Sequence, residues 1–262
     1  MKTGIYYFSA TGNSLTTAKL LAASLDGQCD VISLAALHNK QDIEVDYERV
    51  GFVFPIYYGD MPYLIRDTIR KMKFKQNTYI FIFTTYRGHP GDVAKRFDNL
   101  LQEKNLSLAL SKGIPMPGNS YLSTVEQIKD TLANQKTNIK KLVKSIIEQD
   151  KIDYSLLPEV ENSAVYKACN MRGIKVDEKC IGCQTCIKVC PMNNIELIEG
   201  KIKIKDNCMT CLACFHWCPT AAIYMSKEKE IERREKYHHP DVRLTDIIKQ
   251  KYNEFVEQAS YC

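Results

Sequence analysis

The first half of the chain alternates between two patterns of apolar residues. Short apolar runs rich in β-branched and aromatic residues predict buried strands at positions 3–8, 28–33, 50–56, 78–84 and 106–114. Between these runs, apolar residues recur every three or four positions, which predicts helices at 15–25, at 62–74, in the stretch that ends at 101, and at 123–149. Strands that alternate with helices are typical of an α/β fold with a doubly wound parallel sheet.

The pattern changes beyond residue 150, and we divide the chain into four parts. Residues 1–150 form the α/β domain, and residues 151–172 form a connecting segment. Because that segment is not rich in glycine or serine, we expect it to pack rather than to move freely. Residues 173–225 form a small α+β domain with a hairpin that turns at Gly200. Residues 226–262 form a C-terminal helical extension, interrupted at His238-His239-Pro240.

A loop rich in hydroxyl groups follows the first predicted strand and precedes the first helix. Loop amides, hydroxyl groups and a helix N-terminus together suit a phosphate group. The lysine of a Walker A loop is absent, and so is the G-x-G-x-x-G turn of dinucleotide sites. The alternative is a capped turn, with Asn13 or Ser14 as the N-cap. The candidate residues are Ser9, Thr11, Gly12, Asn13 and Ser14.

Two further loops follow the third and fourth predicted strands. Ligands of open α/β sheets bind at the carboxyl ends of the strands, so we expect both loops to lie beside the first loop. The alternative for the tyrosines is that they only close the strand ends. The candidate residues are Tyr57, Tyr58, Gly59 and Asp60 in one loop and Thr85, Tyr86, Arg87 and Gly88 in the other.

The cysteines between positions 180 and 218 form two copies of C-x2-C-x2-C-x3-C-P, offset by 28 residues. In such paired runs, three cysteines hold one [4Fe-4S] cluster and the fourth completes the other cluster. We therefore assign Cys180, Cys183, Cys186 and Cys218 to one cluster, and Cys190, Cys208, Cys211 and Cys214 to the other. Structural zinc sites are the alternative, although three evenly spaced cysteines fit zinc poorly. His216 and Trp217 are interpreted as packing residues, and Ile181, Ile187, Ile195, Phe215 and Ile223 as the core around the clusters.

Composition and charge indicate the compartment of the protein and exclude some classes of partner. The chain has 262 residues, 11 cysteines and a net charge of +5. Cys29, Cys169 and Cys262 have no spacing partner and are expected to be free thiols in a reducing, cytoplasmic compartment. No apolar run is long enough for a signal peptide or a membrane helix, so no membrane insertion is expected. Basic residues are interleaved with acidic ones, and no nucleic-acid partner is expected.

These motifs resemble two known families over nearly the whole chain. Ser9 to Ser14 resembles the flavodoxin phosphate loop [ST]-x-T-G-x-[ST], and Tyr58-Gly59-Asp60 resembles the aromatic-Gly-Asp turn of flavodoxins. Residues 173–225 resemble the bacterial two-cluster ferredoxin. The chain therefore resembles the flavodoxin–ferredoxin fusions of anaerobic bacteria and archaea. The resemblance implies a five-stranded sheet in the order 2-1-3-4-5, one FMN and two [4Fe-4S] clusters, with ring contacts from Tyr58, or Tyr57, and from Tyr86.

Three functions are compatible with these cofactors. The first is an electron carrier that links the one-electron chemistry of clusters to the two-electron chemistry of FMN, with redox proteins as donor and acceptor. The second is an FMN-dependent reductase of a quinone or nitro compound, fed by its own clusters. The third is a redox sensor whose binding surface changes on cluster loss. We expect the carrier because no catalytic triad, carboxylate pair or nicotinamide motif appears. The sequence does not decide the oligomeric state, and a homodimer is one arrangement considered.

The third loop carries basic residues where flavodoxins commonly have acidic ones. If Arg87 or His89 lies near flavin N1, its positive charge favours the anionic reduced flavin. We therefore predict an FMN potential less negative than in acidic flavodoxins, which a redox titration tests. The alternative is that both side chains face the solvent.

Overall fold

A computed structural model describes residues 1–119, 123–160, 173–225 and 236–252 of the chain. Five parallel strands form its central sheet: β1 (Lys2–Tyr7), β2 (Gln28–Ser33), β4 (Arg49–Pro55), β6 (Tyr79–Tyr86) and β7 (Leu110–Pro115). Their spatial order is β2-β1-β4-β6-β7. Counted within this sheet, that is the predicted order 2-1-3-4-5, and the predicted doubly wound α/β fold is confirmed.

Five helices connect and cover these strands: α1 (Asn13–Ser24), α2 (Leu34–Leu37), α3 (Tyr63–Lys71), α4 (Val93–Gln102) and α5 (Val125–Ile147). The strands between them read as near-continuous apolar runs because both faces of a covered parallel sheet are buried. Ile5, Phe52 and Phe81 have no exposed surface. Thr124 is the N-cap of α5 and forms a complete capping box. Its side chain accepts a bond from the Gln127 backbone amide, and the Gln127 side chain accepts a bond from the Thr124 backbone amide.

Two boundaries differ from the prediction by more than two residues. The helix predicted at 62–74 ends at Lys71, and the next residues form a short strand, β5 (Met72–Phe74), paired in parallel with β3 (Ile43–Val45). Met72 is buried in this pairing, so its apolar side chain serves a strand rather than a last helical turn. The last strand of the sheet begins at Leu110, whereas apolar residues begin at Leu106.

The cysteine-rich part is built on short elements. They are β8 (Ile174–Val176), α6 (Thr185–Val189), β9 (Ile195–Ile198), β10 (Lys201–Ile204), α7 (Ala213–His216) and β11 (Ile223–Met225). The predicted hairpin is present as β9 and β10, with Gly200 at φ 75° in its turn. Ile195, Phe215 and Ile223 are buried as predicted, but Ile181 is 69% exposed. The prediction for Ile181 was wrong because the first cysteine loop lies at the surface.

The connecting segment and the C-terminal extension are described only in part. Tyr154 of the segment is buried, and its hydroxyl accepts a bond from the Ser111 amide at 2.7 Å. Lys95 of α4 reaches Glu159 at 3.0 Å. Tyr154 and Glu159 therefore attach this part of the segment to the α/β domain, whereas 161–172 lie outside the described residues, with Cys169 among them. The helix predicted after residue 225 also lies outside them up to 235, and the later one is present as α8 (Leu244–Lys249).

No helix within the described ranges is long and apolar enough to cross a membrane.

Candidate functional site

A cleft of about 250 Å³ lies at the carboxyl ends of the sheet strands. Ligands of open α/β sheets bind at this end of the sheet. All three predicted loops border the cleft, together with the segment that follows β7. Its lining residues are Ser9, Ala10, Thr11, Asn13, Ser14, Pro55, Ile56, Tyr57, Tyr58, Gly59, Thr85, Tyr86, Arg87, Gly88, His89, Met116, Pro117, Gly118, Asn119 and Thr210.

The first loop, residues 9–14, leaves a helix N-terminus without a side-chain cap. Gly12 is the N-cap of α1 at φ 100°, and no side chain bonds to the helix amides there. The alternative of a turn capped by Asn13 or Ser14 is therefore not what the chain forms. The first helical bond runs from the Thr16 amide to the Gly12 carbonyl at 2.9 Å. The amides that precede Thr16 in α1 lie before any helical acceptor and suit an anionic ligand.

The backbone of this loop is held by residues more than 200 positions away. Gln250 forms two bonds with Ser9: its Nε2 donates to the Ser9 carbonyl at 2.8 Å, and its Oε1 accepts from the Ser9 amide at 3.3 Å. Trp217 Nε1 donates to the Ala10 carbonyl at 2.9 Å. The His239 amide donates to the Thr11 carbonyl at 2.8 Å. The cysteine-rich and C-terminal parts therefore contact this side of the cleft directly.

The second loop is a tight turn. The amide of Tyr57 donates to the Asp60 carbonyl at 2.9 Å, and the Asp60 amide returns a bond at 3.1 Å. Tyr58 and Gly59 occupy the left-handed region, at φ 54° and 76°. Asp60 does not line the cleft: it is buried, and its carboxylate contacts Arg66 at 2.8 Å. Asp60 thus fixes the turn on α3, while Tyr57, Tyr58 and Gly59 border the cleft.

The third loop contributes a wall and an exposed rim. Ser14 and Thr85 join their hydroxyl groups at 2.8 Å, which ties the first loop to β6. Tyr86 is half-buried, and Arg87, Gly88 and His89 are exposed at the mouth of the cleft. Arg87 and His89 thus border both the cleft and the solvent, and their predicted influence on a flavin stays a prediction.

The side of the cleft that faces the cysteine motifs is formed by Asn119 and Thr210. Asn119 Nδ2 donates to the Cys211 carbonyl at 3.0 Å and lies 3.4 Å from Tyr57 Oη. The Asn119 carbonyl lies 2.9 Å from His216 Nε2. Thr210 is buried between Cys208 and Cys211, and its amide donates to Cys208 Sγ at 3.4 Å. The second cysteine motif therefore forms part of the cleft wall.

The first cysteine motif has a glycine at the position that corresponds to Thr210. An offset of 28 residues places Gly182 at the equivalent position. Gly182 has φ 69° and Thr210 has φ 52°, so both adopt the left-handed backbone that favours glycine. Threonine is strained there, since it is β-branched. The two motifs share a backbone, but only the second presents a side chain at this position to the cleft.

Two small cavities in the cysteine-rich part are each lined by four cysteines. One cavity is lined by Cys190, Cys208, Cys211 and Cys214. The other is lined by Cys180, Cys183, Cys186 and Cys218. These are the two sets assigned from the spacing. No three or more His, Cys, Asp or Glu side chains within the described ranges converge as ligands of one metal ion.

The two cysteine sets differ in their exposure. Cys183 is exposed, whereas Cys211 and Cys214 are each only 8% exposed. A hydrogen bond with Thr185 lowers the pKa of Cys183 below its usual value, and burial raises the pKa of Cys186 to about 11. Burial also raises the pKa of Cys211 and Cys214. Buried thiolates need a positive partner, and a metal centre supplies one.

The sequence identified most of the cleft but not all of it. Of the residues predicted for the three loops, only Gly12 and Asp60 do not line the cleft. Sequence reasoning missed Ala10, Pro55, Ile56, Met116, Pro117, Gly118, Asn119 and Thr210. The segment after the fifth strand could have been found, because it too leaves the carboxyl end of a sheet strand. Thr210 gave no such signal, since it comes from the other domain.

The family comparisons agree with this geometry. A family model described as a flavodoxin domain matches residues 4–145. A second model, described as a 4Fe-4S dicluster domain, matches residues 172–219. The comparison with curated proteins gives no match.

Solved structures match the first part of the chain at low identity. The flavodoxin of Fusobacterium nucleatum bound to flavin mononucleotide is 12% identical, with a TM-score of 0.38, and the match covers 57% of this chain and 99% of that one. The FMN-dependent NADH-azoreductase of Bacillus anthracis is 10% identical, with a TM-score of 0.38, over 56% of this chain and 100% of that one. Rubredoxin oxygen:oxidoreductase of Desulfovibrio gigas is 16% identical, with a TM-score of 0.37, and the match covers 56% of this chain and 36% of that one.

Proposed function

The chain belongs to the flavodoxin domain family and carries a 4Fe-4S dicluster domain behind it, and we propose that it passes electrons between two [4Fe-4S] clusters and one FMN. The two domains support an electron-transfer role that uses FMN and iron–sulfur clusters. The observation that carries the finer proposal is the position of the second cysteine motif. One motif residue, Thr210, borders the cleft that would hold the flavin.

The lining of the cleft supports FMN as its ligand. The uncapped N-terminus of α1 and the hydroxyl groups of Ser9, Thr11 and Ser14 would hold the phosphate. Tyr57, Tyr58 and Tyr86 also border the cleft and would contact the ring. FMN supplies a centre that takes up one or two electrons. The residues of the chain would bind and orient the FMN, and Asn119 and Thr210 would shield one side of it from water.

The two cysteine cavities fit clusters better than single ions. Around one zinc ion, each thiolate lies ~2.3 Å from the metal, so four cysteines must converge closely. No such convergence is present in the described part of the chain. Each cavity instead draws three cysteines from one motif and one from the other, as paired [4Fe-4S] clusters require.

The exposure of the cysteines orders the proposed centres. Cys190, Cys208, Cys211 and Cys214 form the inner site, because Cys211 bonds to Asn119 of the cleft wall. Cys180, Cys183, Cys186 and Cys218 form the outer site, because Cys183 is exposed. Electrons would pass from a protein partner to the outer site, then to the inner site and the FMN, or in reverse.

The proposal is tested first by counting cofactors in protein purified without oxygen. Two [4Fe-4S] clusters correspond to about eight iron and eight sulfide per chain. We expect these values together with about one FMN. Full iron without FMN, and no binding of added FMN, would contradict the assignment of the cleft. Zinc in place of iron and sulfide would contradict the assignment of the cysteines.

A reductase is the second candidate, and the exposed rim of the cleft favours it. Arg87, Gly88 and His89 border the mouth and leave it open to the solvent. A small quinone or nitro compound could therefore reach the ring directly. Steady-state turnover with such an acceptor, far faster than with free FMN at the same concentration, would support the reductase. Rapid exchange only with redox proteins would support the carrier.

A further inference from the structure

Five consecutive residues of the first loop each contact a residue from the end of the second cysteine motif or from the segment that follows it. We call this set the loop clamp, and its members are Trp217, Tyr237, His239, Val242 and Gln250. Gln250, Trp217 and His239 bond to the carbonyls of Ser9, Ala10 and Thr11 in turn. The clamp thus engages three successive carbonyls of one short loop.

The next two loop residues complete the series. Val242 packs so close to Gly12 that a Cβ built on the glycine would lie 2.8 Å from the Val242 Cβ. The Tyr237 hydroxyl donates to Asn13 Oδ1 at 2.7 Å. Asn13 Nδ2 in turn donates to the Pro117 carbonyl at 2.9 Å. Each residue from Ser9 to Asn13 therefore has at least one contact that comes from the loop clamp.

These contacts determine what the loop can offer to a ligand. A carbonyl oxygen that accepts a bond from the clamp is held toward the clamp and away from an anion in the cleft. The amides at the start of α1 remain as donors, and a row of such donors binds phosphate oxygens. The loop itself lacks a basic side chain, so the direction of its peptide groups decides how well it binds an anion.

The loop clamp is also attached to the cysteine motifs at both of its ends. Trp217 directly precedes Cys218. The Tyr237 amide donates to Nδ1 of His216, the residue before Trp217, at 3.0 Å. Next to Gln250, Lys251 Nζ donates to the Ile187 carbonyl in α6 at 3.1 Å. Cys186 belongs to the same helix. The position of the clamp therefore depends on the folded cysteine-rich part.

We propose that the loop clamp positions the first loop for the phosphate of FMN, so that the cysteine-rich part controls how strongly the flavodoxin domain distinguishes FMN from riboflavin. This inference rests on the proposed function, because it concerns the same cleft. Trp217, Tyr237 and Gln250 are positioning residues: they act on the phosphate through the loop and do not touch it.

The test compares FMN with riboflavin, which has the same ring but no phosphate. The double variant Trp217→Phe, Tyr237→Phe keeps an aromatic ring at both positions and removes the hydrogen bonds to the Ala10 carbonyl and to Asn13. We expect its Kd for FMN to rise at least ~10-fold and its Kd for riboflavin to stay within about twofold. Gln250→Ala, which lies outside the cysteine motifs, should give the same selective loss.

Tyr63→Phe is the matched control. Its hydroxyl also bonds between the two domains, to Asn207 Oδ1 at 3.0 Å, but it does not contact the first loop. We expect this variant to bind both flavins as the original protein does. If the clamp variants weaken the binding of FMN and of riboflavin equally, or weaken neither, the proposed role of the loop clamp is wrong. If the original protein binds riboflavin as tightly as FMN, the phosphate site itself fails, and with it the proposed function. Iron counts verify that each variant keeps its metal.

Discussion

Gly12 is a residue of the first loop that leaves no room for a side chain. Its φ of 100° favours glycine, and an added Cβ would lie 2.8 Å from Val242 and 3.0 Å from His239. We predict that Gly12→Ala displaces the loop and weakens FMN binding at least ~10-fold, because a left-handed non-glycine residue costs ~1–2 kcal/mol before any clash is counted. Titration of the flavin fluorescence measures this Kd.

Gly200→Ala separates backbone strain from damage to the site. Gly200 has φ 75° in the β9–β10 turn, and an added Cβ would meet no atom within 4 Å. We expect this control to lose ~1 kcal/mol of stability and to bind FMN normally. If both variants bind FMN as the original protein does, the loop does not depend on the geometry of Gly12.

At this scale the sequence predicted residues through their local patterns. Ser9, Thr11 and Ser14 line the cleft because their hydroxyl-rich loop leaves the carboxyl end of a sheet strand. Asp60 follows the pattern too, yet its carboxylate forms an ion pair with Arg66, six residues further along the chain. No local pattern reports which of two neighbouring polar residues faces a ligand, since that choice depends on the packed helix beside it.

The C-terminal segment is the element whose role the sequence did not reveal. His238 and His239 were interpreted as loop residues, and they do precede Pro240 outside a helix. His239 is nevertheless buried, and its Nε2 lies 3.0 Å from Gln135 Oε1 in α5. The contacts of this segment with the first loop and with α5 join residues more than 100 positions apart. Periodicity describes one element at a time, so it could predict α8 but not the surface that α8 covers.

The burial of His239 predicts how stability depends on pH. Burial lowers the pKa of His239 to about 4. Its Nδ1 accepts from the Asp241 amide at 3.2 Å, so the neutral ring uses both nitrogens. The unfolded chain takes up a proton near pH 6.5, before the folded chain does. The contribution of His239 is therefore complete above pH 6.5 and is lost as the pH falls toward 4, with ~1 kcal/mol lost by pH 5.5.

Thermal unfolding at pH 7.5 and pH 5.5 checks this prediction. We expect His239→Gln, which cannot titrate, to reduce the fall in Tm between the two pH values by ~3 °C. His238→Gln, a change in the exposed neighbour, should leave the fall unchanged. An identical fall in the original protein and in His239→Gln would show that protonation occurs elsewhere.

On the scale of the whole molecule, the sequence specified the two domains but not the way they meet. Each cysteine motif and each strand–loop–helix unit is recognisable within a few dozen residues. The contact between them depends on single residues such as Asn119 and Thr210, whose patterns are ordinary. Thr210 becomes informative only beside Gly182, because the same backbone carries glycine in one motif and a strained threonine in the other. That difference distinguishes the inner cysteine site, which faces the cleft, from the outer one.

The proposed order of centres predicts that the two cysteine sites respond differently to the loss of one ligand. Cys183→Ser in the outer site and Cys211→Ser in the inner site should each remove about four iron per chain. Because Cys211 bonds to Asn119 and adjoins Thr210, only the inner variant should also disturb the flavin, seen as a changed FMN absorption spectrum. Both variants should slow reduction of the flavin by a protein donor in stopped-flow mixing, since the electron must cross both sites. A normal rate in Cys183→Ser would mean that donors deliver electrons to the inner site or to the flavin directly, and the linear order would then be wrong.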